Sequence, residues 1–230
     1  MMKTLVMIPA FGCDERLYAS QTAALGQQFD VHVIVPTEDR YPGMVQEVLA
    51  QIPERFVIMG TSMGGRVALE VTLAAPARVE GMLIIGAGAG AVADTALGLR
   101  RSARIRGGEK QQVIVEMGEM VAHMPGPRGH DAREAFVTMA QQTQPETLAR
   151  QSDALAHRTD MWGRLGEVTC PVLCLWGVYD KFSPAADGRR VAADVKHGRY
   201  VELPECGHFP TLEYPGEATD VLSEWLATLD

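Results

Sequence analysis

Six short, strongly apolar segments recur along the chain, and helix-length amphipathic segments separate the first four of them. The apolar segments lie at 4–9, 31–36, 55–60, 79–86, 170–177 and 199–204, and the helical ones at about 15–28, 42–51 and 63–75. Most of the apolar segments are nearly continuous in hydrophobicity, which is typical of parallel strands covered on both faces. This alternation predicts an α/β fold with a mostly parallel, doubly wound sheet of about six strands flanked by helices.

The alternation stops between Gly86 and Cys170, where no segment resembles a strand. Apolar residues recur there at helical spacing in three groups: Val113, Met117, Met120 and Met124; Ala132, Phe136 and Met139; and Leu148 and Leu155 in a helix opened by Pro145. We therefore predict a core domain formed by 1–87 and 166–230 and a helical cap or lid at 88–165, inserted after the fourth strand. The segment GAGAGAVA at 86–93 lacks the lysine and hydroxyl residue of a P-loop and is interpreted as a hinge or tight crossover into the cap.

Two features of the predicted cap allow more than one interpretation. Five of the twelve methionines lie between 117 and 161, either as plain core or as an adaptable surface for an apolar ligand. Four arginines cluster near the cap entrance, where they form a solvated helix face or attract a carboxylate. These are Arg100, Arg101, Arg104 and Arg106.

Composition and charge exclude several classes of function. The formal net charge is -8 with no basic stripe, so nucleic acid is not expected as a partner. No segment approaches the roughly 20 apolar residues of a membrane helix. The N-terminal residues predict a first strand rather than a signal peptide. The four cysteines have neither zinc nor redox spacing and predict buried free thiols, and we expect a cytoplasmic protein. No pattern predicts an oligomeric state.

The segment GTSMGG at 60–65 follows the third apolar run and precedes a helix-forming segment. This is the context of the nucleophile-elbow motif G-x-S-x-G, with Ser62 as the nucleophile. Gly60 and Gly64 are expected to permit the sharp turn, because side chains there would collide with strand and helix. The turn also leaves the backbone N–H of Met63 at a helix N-terminus, where it can face a developing oxyanion.

A serine nucleophile needs a base and a group that orients the base. Among the six histidines, His208 directly follows the last apolar run, at the sheet edge where active sites of such folds collect. Asp180 follows the fifth run in the same way and is the predicted orienting acid. The nearby carboxylates of Glu202, Glu205 and Asp187 are less suitable, because they are expected in a strand, in a loop and at the start of a surface helix.

The loop after the first strand, IPAFGCDERLY, is expected to supply the second oxyanion donor. Gly12 lets the backbone bend close to the reacting carbonyl, and the N–H of Phe11 is the predicted donor. The Phe11 ring either walls the acyl pocket or makes a plain core contact.

Ser62, Asp180 and His208, in that order and each at a strand end, make the chain resemble the α/β-hydrolase fold superfamily over nearly its whole length. GTSMGG resembles the nucleophile elbow, WGVYDKFSP the acid loop, and GHFPTLEYP the histidine loop with its trailing Glu213 and Pro215. The chain departs from many relatives in starting at the strand before the oxyanion loop. The His-Gly and His-Gly-Gly-Gly oxyanion loops of some subfamilies are also absent. A serine rather than cysteine or aspartate in the elbow distinguishes it from dienelactone hydrolases, haloalkane dehalogenases and epoxide hydrolases.

The resemblance implies a serine hydrolase of the carboxylesterase type, with no cofactor and no metal. We expect it to act on a small-molecule ester or related acyl substrate that is largely apolar. A carbon–carbon bond hydrolase, a lactonase or an amide hydrolase would use the same three residues, and a hydrolase-like ligand-binding receptor would retain them without turnover.

Overall fold

The computed structural model describes residues 2–52 and 54–229, and over them the chain forms one six-stranded sheet. The strands are β1 (Lys3–Ile8), β2 (Phe29–Val33), β3 (Phe56–Thr61), β4 (Val79–Ile85), β5 (Val172–Gly177) and β6 (Gly198–Leu203). All neighbouring pairs are parallel, and the order across the sheet is β2-β1-β3-β4-β5-β6. The prediction of a parallel sheet with six strands is confirmed.

Burial along the strands explains which of them were easy to locate. Every residue of β3 and β5 is buried, as expected for central parallel strands covered on both faces. The edge strand β2 is only partly buried, and it lies at Phe29–Val33 rather than at the predicted 31–36. Its pairing with β1 begins at Lys3↔Phe29, which adds Phe29 and the polar Asp30 to the start of the predicted strand.

Ten α-helices connect or flank the strands in the described chain. They are α1 (Ala19–Leu25), α2 (Tyr41–Gln51), α3 (Met63–Ala74), α4 (Thr95–Arg104), α5 (Lys110–Gly118), α6 (Gly129–Gln142), α7 (Pro145–Ala156), α8 (Ala185–Asp194), α9 (Pro210–Glu213) and α10 (Pro215–Leu226). The chain moves outward from β1 to β2 and then crosses back over β1 to β3. Because such crossovers are right-handed, this reversal places α1 and α2 on opposite faces of the sheet. A crevice opens between the carboxyl ends of β1 and β3, where the strand order reverses.

Helices α4 to α7 lie between β4 and β5, within the stretch predicted as an insertion. Helix α4 packs on α7, and α5 packs on α6. The division of the chain into a core and a cap domain stays a prediction. Helix α4 was not predicted; it begins after Asp94, whose side chain accepts a hydrogen bond from the N–H of Leu97.

The predicted methionine stripe is only partly helical. Helix α5 ends at Gly118, so Met120 and Met124 lie in the turns that follow rather than in the helix with Met117. The chain continues into Pro125-Gly126-Pro127, which is incompatible with a further helical turn. No helix of the described residues is both long and apolar enough to cross a membrane.

Candidate active site

Ser62 occupies the sharp turn between β3 and α3. It is the residue between the end of the strand at Thr61 and the start of the helix at Met63, and its φ and ψ are 55° and −115°. A positive φ is strained for any residue with a side chain and persists only where the surroundings enforce it. Here the N–H of Ser62 donates to the carbonyl of Ile85 at 2.7 Å, which ties the turn to the end of β4.

The two glycines that flank Ser62 are required by close backbone approach. A Cβ on Gly60 would overlap the carbonyl oxygen of Gly64, and a Cβ on Gly64 would overlap the carbonyl oxygen of Ile8. The strand–turn–helix unit therefore packs too tightly for a side chain at either position. This is the steric role expected of the glycines in the G-x-S-x-G motif.

His208 and Asp180 form a buried hydrogen-bonded pair. The Nδ1 atom of His208 lies 2.7 Å from Oδ2 of Asp180, and the two side chains are 4% and 1% exposed. The other carboxylate oxygen, Oδ1, accepts hydrogen bonds from the N–H groups of Phe182 at 2.8 Å and Ser183 at 2.9 Å. Three hydrogen bonds thus fix the Asp180 carboxylate against the imidazole.

The other carboxylates near the last strand lie elsewhere. Glu202 is in β6 and pairs with Arg189, and Asp187 is in the first turn of α8. Glu205 follows β6, with its carboxylate 3.7 Å from the ring of His123. Among the described residues, only Asp180 forms a hydrogen bond to the His208 side chain.

Ser62 and His208 line the same cavity, whose volume is about 330 Å³. No hydrogen bond joins their side chains within the described chain; such bonds often tighten only when substrate is bound. Most of the remaining lining is apolar and comes from both the strand ends and helices α4 to α7. It includes Phe11, Leu97, Met117, Val121, Phe136 and Leu155.

The cavity bears on two interpretations that the sequence left open. Phe11 lines the cavity and is also buried in the hydrophobic core, so the two interpretations of its ring are compatible. Of the five methionines between 117 and 161, only Met117 lines the cavity. Met139 and Met161 are buried in the core, and Met120 is 40% exposed. The methionine group is therefore mostly not a ligand surface.

The backbone N–H groups of Phe11 and Met63 remain unused by the described chain, where neither donates to a backbone or side-chain acceptor. The neighbouring Gly12 has a φ of 67°, and its own N–H donates to the side-chain oxygen of Gln151 at 3.0 Å. The side-chain nitrogen of Gln151 donates in turn to the carbonyl of Pro36 at 2.9 Å. A buried glutamine of α7 therefore fixes the loop that carries Phe11.

Gly86 is a further glycine with a steric role in the site, and the sequence analysis did not assign it this role. It follows β4 with a φ of 59°, and a Cβ there would lie 3.0 Å from both Oδ2 of Asp180 and Nδ1 of His208. Such contacts are tighter than most Cβ contacts in proteins, so the absence of a side chain leaves room for the Asp180–His208 pair. Its position at a strand end beside the other site residues was the available signal.

Glu213 is the buried carboxylate beneath the loop that carries His208. Its Oε2 atom accepts from the N–H groups of Gly207 and His123, each at 2.8 Å, and its Oε1 atom accepts from Phe209 at 3.1 Å. In the sequence, Glu213 was noted only because it matches a residue that usually follows the histidine loop. Its hydrogen bonds to the backbone of that loop were not predicted.

Among the described residues, no three His, Cys, Asp or Glu side chains lie close enough to hold a metal ion together. The polar side chains that line the cavity include the Ser62 hydroxyl and the His208 imidazole, which Asp180 holds from the other side of the ring. A hydroxyl beside an oriented imidazole is the combination that nucleophilic catalysis by serine requires.

A sequence model of the alpha/beta hydrolase family matches residues 6–220. The chain belongs to this family. As an alpha/beta hydrolase it is an enzyme, and the expected fold and superfamily are confirmed.

Similar proteins include enzymes named as esterases and as other hydrolases. A pimeloyl-[acyl-carrier protein] methyl ester esterase from Pectobacterium atrosepticum is 24% identical over 234 residues, covering 94% of this alpha/beta hydrolase and 91% of the relative. A 2-hydroxy-6-oxononadienedioate/2-hydroxy-6-oxononatrienedioate hydrolase from Cupriavidus pinatubonensis is 29% identical over 171 residues, which are 70% of this chain and 58% of that protein. The structure of a thermophilic esterase from Thermogutta terrifontis, with malate bound, superposes with a TM-score of 0.90 at 23% identity, covering 99% of this chain and 92% of that one.

Proposed function

We propose that this alpha/beta hydrolase is a serine hydrolase that cleaves the carboxylic ester of a small, largely apolar substrate through Ser62, His208 and Asp180. The observation that carries the proposal is the buried 2.7 Å hydrogen bond between His208 and Asp180, beside the cavity that Ser62 also lines. An imidazole held in this way has one nitrogen fixed and the other available as a base.

In the proposed reaction, Nε2 of His208 takes the proton of the Ser62 hydroxyl while Oγ attacks the ester carbonyl carbon. The carbonyl electron pair moves to oxygen, giving a tetrahedral intermediate. When the intermediate collapses, the C–O bond to the alcohol breaks, and the His208 imidazolium protonates the leaving alkoxide. Asp180 accepts from Nδ1–H throughout, which fixes the tautomer and stabilises the imidazolium.

The resulting acyl-enzyme is hydrolysed by the reverse roles. His208 removes a proton from water as the water oxygen attacks the acyl carbon, and then returns the proton to Oγ of Ser62. The carboxylic acid leaves and the serine is regenerated. Each step uses protein groups and water only, so we expect neither a metal nor an organic cofactor.

The N–H groups of Phe11 and Met63 are the proposed donors to the oxyanion in both halves of the reaction. Their support is that neither has another acceptor in the described chain, and that Met63 stands at the N-terminus of α3. Gly12 and Gln151 hold the Phe11 donor in place.

The cavity supports a small ester as substrate. A volume of about 330 Å³ is near the lower end of the range of small-molecule sites, and most of its lining is apolar. The relatives named as esterases favour an ester over other acyl compounds. The four cysteines are free and buried, which supports a reducing compartment such as the cytoplasm as the proposed location.

The direct test compares Ser62→Ala with Ser20→Ala, which replaces an exposed serine of α1. We expect the first variant to lose both fluorophosphonate labelling and turnover of p-nitrophenyl acetate, and the second to retain both. Labelling and turnover in Ser62→Ala at the wild-type level would refute the assignment of the nucleophile.

Carbon–carbon bond hydrolysis is a second candidate, favoured by the similarity to the 2-hydroxy-6-oxononadienedioate/2-hydroxy-6-oxononatrienedioate hydrolase. The relevant measurement is kcat/KM over matched esters, lactones, amides and vinylogous diketones. We expect the highest value for an ester; a higher value for a vinylogous diketone would favour the second candidate.

A further inference from the structure

Three of the four arginines near the start of the α4–α7 segment are neutralised by carboxylates. Arg100 lies 3.3 Å from Asp94. Arg104 pairs with Glu109 at 2.8 Å and Glu116 at 2.7 Å, and Arg106 lies 2.9 Å from both Glu146 and Asp153. These three arginines therefore form ordinary surface ion pairs and need no ligand to balance their charge.

Arg101 is different, because within the described chain it has neither an ion pair nor a hydrogen-bond partner. It is partly buried, and it lines the cavity that contains Ser62 and His208. Its guanidinium stands over the Phe11 ring, 5.7 Å from the ring centroid. A cation–π contact of this kind uses none of the five N–H donors of the guanidinium.

Burial of this guanidinium without a partner is unfavourable. Loss of water lowers the pKa of Arg101 below its ordinary value, although an arginine remains charged at any physiological pH. A desolvated cation of this kind is stabilised when an anion binds to it.

The remaining charged residues of the cavity wall favour an anion as well. Arg158 lines the same cavity; its Nη2 donates to the carbonyl of Ala91 at 3.5 Å, and its Nε is buried without a partner in the described chain. The acidic lining residue Asp94 is already paired with Arg100. The cavity thus combines an apolar wall with two guanidinium groups and one neutralised carboxylate.

We infer that Arg101 binds a substrate carboxylate, and that the enzyme acts on esters whose acyl chain ends in a free carboxylate, such as half-esters of dicarboxylic acids. This inference rests on the proposed function for the substrate's ester group. A planar guanidinium matches the two oxygens of a carboxylate, and the apolar wall suits the methylene chain between carboxylate and ester.

The test compares monomethyl succinate, glutarate and adipate with the methyl esters of butanoic, pentanoic and hexanoic acid, by following methanol release. Each pair has the same acyl length and differs in the terminal carboxylate. We expect wild-type kcat/KM to favour at least one half-ester over its partner. In Arg101→Gln this ratio should fall by at least about tenfold, mainly through KM, because a charge-assisted hydrogen-bonded contact is lost.

Two further variants separate recognition from general damage. Arg101→Lys keeps the charge but not the planar fork, so its ratio should lie between those of wild type and Arg101→Gln. Arg104→Gln removes a nearby arginine that does not line the cavity and whose partners Glu109 and Glu116 are exposed, so it should leave the ratio at the wild-type value. An equal ratio in wild type and Arg101→Gln would overturn the inference, even if both enzymes hydrolyse esters well.

Binding in the absence of turnover separates this inference from the proposed function. Monomethyl glutarate is titrated calorimetrically into Ser62→Ala and into the double variant Ser62→Ala/Arg101→Gln. We expect at least about tenfold weaker binding to the double variant. Equal affinities, or binding to neither, would overturn the role of Arg101. Persistent ester turnover in Ser62→Ala would instead refute the proposed nucleophile, and the role of Arg101 would then be tested by the kinetic comparison of half-esters with plain esters.

Discussion

The side chain of Glu213 accepts hydrogen bonds from the backbone N–H groups of both chain neighbours of His208. These neighbours are Gly207 and Phe209, and the same carboxylate also accepts from His123. The Glu213 side chain does not contact the proposed reacting atoms. It acts on the imidazole only through the backbone that carries it, and we class it as a positioning residue.

Replacing Glu213 with Gln should therefore impair catalysis and stability together. An amide side chain has only one acceptor oxygen, so at least one buried N–H loses its partner, at a cost of about 1–3 kcal/mol. We expect a lower Tm and a fall in kcat of about tenfold or more, since small displacements of a catalytic group are expensive. Steady-state kinetics and thermal unfolding measure the two effects.

The matched control is Glu217→Gln, which changes an exposed glutamate in the first turn of α10. It should leave both quantities near wild type. Wild-type kcat in Glu213→Gln would show that the loop holds His208 without this carboxylate.

Gly86→Ala should disturb the Asp180–His208 pair directly. The new methyl group would lie 3.0 Å from an atom of each partner, on a backbone with a φ of 59°. We expect a loss of kcat/KM of about tenfold or more together with a destabilisation of about 1–3 kcal/mol from the strained backbone. Gly163→Ala is the control, because nothing lies within 4 Å of a Cβ at that position. Equal activity of the two variants would contradict the proposed steric role.

Gln151→Leu should displace the N–H of Phe11, one of the two proposed oxyanion donors, and leave the N–H of Met63 in place. It removes the acceptor of the Gly12 N–H and the donor to Pro36, leaving two buried backbone groups without partners. We expect kcat to fall by about tenfold or more, with a smaller change in KM, because an oxyanion contact acts in the transition state.

Gln151→Glu retains an acceptor for the N–H of Gly12 and should recover part of the lost kcat. Gln141→Ala, at an exposed position of α6, is the control; a pure KM effect in Gln151→Leu would argue against this assignment.

The buried cysteines predict a loss of stability at alkaline pH. Burial raises the pKa of Cys174 from 9.0 to about 12 and that of Cys170 to about 11. From about pH 9 upward the unfolded chain loses thiol protons that the folded chain keeps, so the free energy of unfolding decreases as pH rises. At pH values below the pKa of the thiols in the unfolded chain, both states keep these protons, so the thiols do not make the free energy of unfolding depend on pH.

Cys174→Ala isolates one of these contributions. Between about pH 9 and 11, its free energy of unfolding should fall less steeply than that of wild type, by up to about 1.4 kcal/mol per pH unit. Denaturant titrations at a series of pH values give the two slopes. Identical slopes would mean that Cys174 ionises equally in both states.

The sequence predicted the parts of the fold that depend on local patterns. The continuous apolar runs of β3 and β5 and the G-x-S-x-G turn are local, because burial on both faces and a tight turn each restrict residue types within a few positions. The edge strand β2 was placed two residues too late, since the exposed Asp30 interrupts its apolar pattern where one side of the strand faces solvent.

Several features of the site were beyond sequence patterns because they act between distant segments. Gln151 meets Gly12 across 139 positions, and the unpaired state of Arg101 depends on which carboxylates its neighbours capture. Neither residue type nor spacing carries this information. The helical end at Gly118 was missed for another reason: Met120 and Met124 continue a helical spacing through a turn.

The hydrogen bond from the Gly12 N–H to Gln151 has an evolutionary consequence. The α4–α7 segment, whose side chains shape the substrate cavity, also holds the loop proposed to stabilise the oxyanion. A new specificity therefore cannot be acquired by exchanging this segment freely between relatives. An incoming segment must carry its own acceptor for the Gly12 amide, so selectivity and reactivity are inherited together.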